Sequence, residues 1–200
     1  MTGEEYVNAQ GWGYARLAVC PNHPHGGCSL ARHGTYGRKT PRGCRVARWY
    51  CRESRTTFSL LPDCLAARLP GTLRRLEEVV AVAEAAPSLA AAAVCLRGAE
   101  AVGLEGARRW VRRRVRRVHR DLHIARGLRP DLLHGCPARM IAVRGRVRSL
   151  IALVRLRGAL AGQLSVLPAP LGFYPHGAGA SRRRGAGQHK VGPDPPRSAA

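Results

Sequence analysis

The clearest period in the chain lies between residues 104 and 125. Leu104, Ala107, Val111, Val115, Val118, Leu122 and Ala125 recur at spacings of three and four, the repeat of one buried face of an α-helix. The spacing predicts a long helix over about 104–124. Earlier, Leu73, Leu76, Val80 and Ala83 share a helical face behind Thr72, whose hydroxyl can accept from a free amide of the first turn. Pro87 and Ser88 restart the chain, and Ser88 caps a predicted alanine-rich helix that stops near Gly98. Residues 98–103 are expected to form a turn. A short helical piece is predicted over 63–69, between Pro62 and Pro70. A last helix is predicted over about 138–160, with Ile141, Val147, Leu150, Ile151 and Val154 as its apolar positions.

A different period occurs near the N-terminus. Residues 45–51, Arg-Val-Ala-Arg-Trp-Tyr-Cys, alternate in the manner of a half-buried strand. No such alternation follows residue 60. From Leu164 onward Pro, Gly and Ala dominate, with Arg182, Arg183 and Arg184 in a row. Such a segment buries too little apolar surface to offset its ordering entropy, so 164–200 is expected to be a disordered basic tail. Residues 1–18 read as a flexible lead-in, 19–60 as a small β module and 61–163 as a helical domain. The fold class expected is α-rich α+β: a small β-hairpin module, then a helical bundle.

Charge narrows the function. The chain has 34 basic and 12 acidic residues, a formal net charge of +22. Self-repulsion of that size favours a polyanionic partner, and nucleic acid is the expected one. Abundant Arg, Ala, Gly and Pro also follow from a GC-rich coding sequence, but base composition does not explain the scarcity of acids. On the predicted long helix Arg109, Arg112, Arg113, Arg116 and Arg120 fall within about 100 degrees of one another, opposite the apolar stripe. A short capped helix, a turn and an arginine-faced helix outline a helix-turn-helix, although this turn is longer than the usual three or four residues. Duplex DNA is the expected partner, and RNA the alternative. Trp110 reads as a packing residue at the edge of the stripe.

No apolar run is long and uninterrupted enough to span a bilayer, and the acidic start, Met-Thr-Gly-Glu-Glu-Tyr, is not a secretory signal. A cytoplasmic, nucleoid-associated protein without a small-molecule substrate is expected. In a reducing compartment the seven cysteines read as metal ligands or core residues. Cys64, Cys95 and Cys136 are expected to be buried thiols. Cys20, His23, Cys28 and Cys51 are spaced for a four-coordinate zinc site, with His25 or Cys44 as substitutes for one of them. The competing reading is a hairpin without metal, packed through Trp49, Tyr50 and Phe58.

The segment 20–62 resembles the N-terminal zinc ribbon of bacterial insertion-sequence transposases. The matches are Cys20-Pro21, the run Arg32-His33-Gly34-Thr35-Tyr36-Gly37-Arg38, then Arg48-Trp49-Tyr50-Cys51, and Thr57-Phe58-Ser59-Leu60-Leu61-Pro62. The segments 107–115 and 188–196 are similar to parts of a transposase-related bacterial family. The resemblance implies a zinc ribbon whose basic strands, here with Arg32, Arg38, Arg45 and Arg48, touch DNA, and a protein accessory to, or a remnant of, such a transposase. The chain departs from the pattern at Ser54, where the second cysteine of Cys-x-x-Cys is expected.

No catalytic residue is expected. A DNA-cutting transposase needs three carboxylates on an α/β core. Asp63, Asp121 and Asp131 share no readable strand, so a cutting subunit with another catalytic fold is the remaining enzymatic alternative. His119 and His123 stand one helical turn apart, but no Glu follows His119 directly, and the pair reads as surface.

Overall fold

The computed structural model describes residues 1–98 and 103–173. Two compact units divide them: Glu4–Pro62 in one, and the described residues from Asp63 onward, with Met1–Gly3, in the other.

The N-terminal unit is built on a three-stranded antiparallel sheet, β1 Leu30–Gly37, β2 Arg45–Cys51 and β3 Thr56–Leu60, in the order β1-β2-β3. The alternating run is the central strand. Arg32, Trp49 and Phe58 lie side by side across the sheet, as do Leu30, Cys51 and Thr56. The register slips by one residue between Arg32 and Thr35. Gly34 sits there at φ 88°, a conformation that glycine adopts without a Cβ clash. The largest buried side chain in this unit is Tyr6; Cys20, Cys44, Val46, Ala47 and Cys51 complete a core of small residues. A core of this size stabilises little on its own.

The flexible lead-in expected over 1–18 is not what forms. Helix α1, Gly3–Asn8, carries the buried Tyr6, whose hydroxyl donates to Arg45 O at 3.2 Å. Trp12 meets the Tyr6 ring edge-on at 5.9 Å, and Arg32 donates to the carbonyls of Trp12 and Gly13 at 2.7 and 2.8 Å. Two aromatic rings and one arginine therefore hold a segment whose sequence shows no period.

The second unit is helical: α2 Leu73–Ala85, α3 Leu89–Arg97, α4 Gly103–Leu128, α5 Pro130–Leu133, α6 Met140–Val147 and α7 Ala152–Ala159. Thr72 and Ser88 cap α2 and α3, accepting from Arg75 N and Ala91 N at 3.1 Å each. The α4 stripe is buried at Ala107, Val111, Val118, Leu122 and Ala125, whereas Leu104 is exposed and Val115 half-buried. Ala107 and Val111 pack on Ala92 and Ala93 of α3. Val118 and Leu122 join Leu73, Leu76, Val80, Met140, Leu153 and Leu156 in the main core.

Three expectations fail here for one reason, the presence of buried charged side chains that cap distant backbone. The single helix expected over 138–160 is two. Arg148 breaks it at φ 50°, and each new N-terminus is capped from α2: Glu84 accepts from Met140 N and Ile141 N at 2.7 and 2.9 Å, and Glu77 from Leu153 N at 2.9 Å. Carboxylates there satisfy orphan amides and oppose the helix dipole. The helix expected over 63–69 is a turn with an isolated bridge, Leu65 to Thr72. Arg157 of α7, fully buried, donates to the carbonyls of Asp63 and Leu65 at 3.0 and 2.6 Å. The first part of the expected tail is folded: Leu167, Ala169 and Leu171 are buried, Arg157 donates to Pro170 O and Leu171 O, and Asp121 of α4 accepts from Leu171 N at 2.9 Å. The rest of that tail, 174–200, lies outside the described residues, as do residues 99–102 of the turn expected between α3 and α4. Among the described residues no helix is long and apolar enough to cross a membrane, and no strand follows Leu60.

Candidate metal centre and arginine face

The loop before β1 and the end of β2 bring four ligand atoms together. The Cys20, Cys28 and Cys51 sulfurs and a His23 ring nitrogen all lie within 4.8 Å of one another. His23 Nδ1 is 3.5 Å from Cys20 Sγ and 3.4 Å from Cys51 Sγ. The turn that does this is closed by His23 N donating to Cys20 O at 3.0 Å and Gly26 N to His23 O at 3.1 Å. Gly26 and Gly27 follow at φ 86° and 80°, and the chain returns to deliver Cys28. Cys51 arrives from the sheet, buried at the end of β2. Glu53 ties the two sides, accepting from Ser29 N at 2.8 Å with its carboxylate 3.6 Å from Cys51 Sγ.

The donor set fits a zinc ion. Zinc binds thiolate sulfur at about 2.3 Å and imidazole nitrogen at about 2.0 Å, so tetrahedral ligands stand roughly 3–4 Å apart. Burial and the neighbouring Cys20 and Cys51 sulfurs push the Cys28 thiol up to about 12. Burial also raises the Cys51 thiol, but the hydroxyl and amide of Ser54 beside it, with Cys20 and Cys28, bring it down to about 7. Sulfurs this close repel one another once ionised, and a cation among them removes that repulsion. The fourth candidate ligand is His23, and Ser54 stands beside the cluster with its Oγ buried. Neither proposed substitute joins it: His25 is exposed, and Cys44, buried, faces Arg45 O. Of the remaining cysteines Cys64 and Cys136 are buried, but Cys95, expected to be buried, is exposed.

The second feature is α4. Arg109, Arg112, Arg113, Arg116 and Arg117 line a shallow depression of about 380 Å³ on its surface. Arg120, expected on this face, is exposed near its end but does not line the depression. Arg117 escapes a sequence reading limited to a narrow arc; it stands four residues beyond Arg113 and widens the arc to about 140 degrees. Burial, then Arg113 and Arg120, lower its pKa, with Asp121 opposing. No hydrogen bond or ion pair engages Arg109, Arg112, Arg113 or Arg116 among the described residues. Arg114 behaves differently. It turns inward over the Trp110 ring at 3.7 Å, with Arg97 at 5.1 Å. Burial lowers it to about 10, assisted by Arg113, Arg97 and Arg117. Trp110 thus packs against α3 between two guanidinium groups.

The sheet arginines are less available. Arg32 is spent on the Trp12 and Gly13 carbonyls, and Arg45 Nε donates to Thr35 Oγ1 at 2.8 Å. Arg48 Nε is buried without a partner, and the amide of Arg38 bonds Cys44 O. His119, expected at the surface, is half-buried, with Nε2 2.7 Å from Glu84 Oε1; His123 is exposed. Apart from the Cys20 cluster, no three His, Cys, Asp or Glu side chains converge among the described residues.

Comparison with protein families, curated proteins and solved structures gives no match for this chain. What the fold and its sites define is a small α+β protein with a Cys3His cluster in its sheet unit and an uncompensated arginine face on its longest helix.

Proposed function

We propose that the protein binds duplex DNA through α4 and does not cut it, and that zinc closes the sheet unit. The observation that carries this reading is the run of arginines on one face of α4 with no carboxylate among the residues lining the depression. Six described acids of the helical unit are used elsewhere: Glu105 on Arg108, Glu78 on Arg74 and Arg75, Asp131 on Arg129, and Glu77, Glu84 and Asp121 on backbone amides. A cationic face left uncompensated attracts phosphates and releases their counterions.

Cys20, His23, Cys28 and Cys51 would hold the zinc, which supplies a cross-link between the loop and β2. Four protein ligands leave that ion no open position for substrate. The resemblance of 20–62 to a transposase ribbon favours a role beside an insertion element, as an accessory or a remnant. Asp63, Asp121 and Asp131 serve no common site: Asp121 is buried on Leu171 N, and Asp131 pairs with Arg129 at 2.6 Å.

Duplex DNA and an RNA hairpin of equal length, compared at one salt concentration with magnesium or manganese present, test the reading. Duplex DNA should be bound more tightly and recovered unnicked. Preference for the hairpin would move the protein to RNA. Metal-dependent nicking lost on Asp121→Asn or Asp131→Asn would make it a nuclease.

A further inference from the structure

The α4 arginines form two parallel rows. Arg109, Arg113 and Arg117 follow one i, i+4 line of the helix surface; Arg112 and Arg116 follow the next. Residues along each row are about 6 Å apart along the axis, close to the separation of successive phosphates in an extended strand. The depression of about 380 Å³ is lined by these five residues alone. Arg117, half-buried, closes the first row four residues beyond Arg113. Five arginines around one depression, with no carboxylate among its lining residues, repel one another unless an anion joins them.

We infer that the groove between the rows seats a single run of consecutive phosphates lengthwise along α4, with Arg113 and Arg117 among its contacts. The inference rests on the phosphate-binding reading of α4 and goes beyond it in mode. A helix that inserts side chains into the major groove reads base edges, and its affinity depends on sequence. A helix lying along one backbone strand reads charge and spacing and is indifferent to the bases. The source of the phosphates is either a nucleic-acid strand or a free phosphate chain, since both present the same spaced oxyanions.

Three DNA duplexes of unrelated sequence and an inorganic polyphosphate of matched charge serve as probes, each titrated with the full chain, with Arg113→Gln/Arg117→Gln and with Arg113→Lys/Arg117→Lys. Helical circular dichroism confirms that each variant is folded. The three duplexes should bind within about threefold of one another, and the glutamine variant should weaken all of them about tenfold while making the salt slope shallower by about two units. Lysine, which keeps the charge but not the fork, should restore part of the loss. If duplexes bind but the glutamine variant is unchanged, or one sequence is preferred a hundredfold, the groove is wrong and the DNA reading survives. If polyphosphate binds with the expected sensitivity and no duplex does, the groove is right and the DNA reading fails. If neither binds, both fail.

Discussion

Cys51 is the residue on which the sheet unit turns. It is buried, ends the central strand, faces His23 at 3.4 Å and has Ser54 and Glu53 around its sulfur. If zinc binds here, a residue at the junction of loop and sheet would transmit its cross-link to the strands, because the small core around it supplies little cohesion. Protein prepared with zinc should carry about one equivalent. Cys51→Ala should lose it and make the Arg38–Cys44 loop and the strands more sensitive to protease. Zinc retained in the alanine variant, measured by metal analysis after dialysis, would place the ligands elsewhere. Glu53 was not legible as a partner of this site; its role depends on the four-residue turn between β2 and β3 bringing a carboxylate back to Ser29, and no spacing rule encodes that.

At the scale of elements, charge inside the helical unit determines where helices start and stop. Asp121 on α4 is the example with a measurable consequence. Burial raises its pKa from 3.8 to about 7, against the opposing pull of the Leu171 amide and of Arg120, Arg117 and Arg157. A carboxyl protonated more readily in the folded chain than in the unfolded one adds stability at low pH. That contribution is lost as pH rises from about 4 through about 7. Asp121→Asn, which stays neutral and keeps an acceptor for Leu171 N, should flatten this decline. Relative to the native chain it should gain on the order of 2–4 kcal/mol between pH 4 and pH 8, taking about 1.4 kcal/mol per pH unit. Chemical unfolding at the two pH values measures it, and parallel curves for the two proteins would show that Asp121 keeps an ordinary pKa.

The same elements show what a sequence can reveal. The starts of α2 and α3 were readable because their caps, Thr72 and Ser88, sit next to the helices they cap. The body of α4 was readable because its stripe persists over six turns. The break at Arg148 and the folding of 164–173 were not, since their caps and anchors, Glu77, Glu84, Asp121 and Arg157, lie between about 13 and 76 residues away. The cluster of Cys20, His23, Cys28 and Cys51 was readable from residue type and spacing, while the placing of His23 in it, with His25 and Cys44 outside, needed the turn geometry. Arg117 was missed because it lies about 40 degrees beyond Arg113, outside the roughly 100-degree arc of the other arginines, yet it lines the depression.

For the whole molecule, a net charge of +22 dominates any association with a polyanion. Bulk charge alone does not distinguish a binding face from arginine spread over the surface. The arginines of α2 provide the contrast: Arg74 and Arg75 are exposed but paired with Glu78 at 3.2 Å, whereas Arg112 and Arg116 have no such partner among the described residues. If α4 is the contact surface, duplex DNA affinity should fall linearly on a log–log plot against salt, by about 0.9 of a unit in slope for each phosphate neutralised. Arg112→Gln or Arg116→Gln should each make the slope shallower by about one unit, and Arg74→Gln should leave it unchanged. Affinity that is flat with salt, or slopes equally shallow in all three variants, would contradict the assignment of α4 as the DNA-binding face.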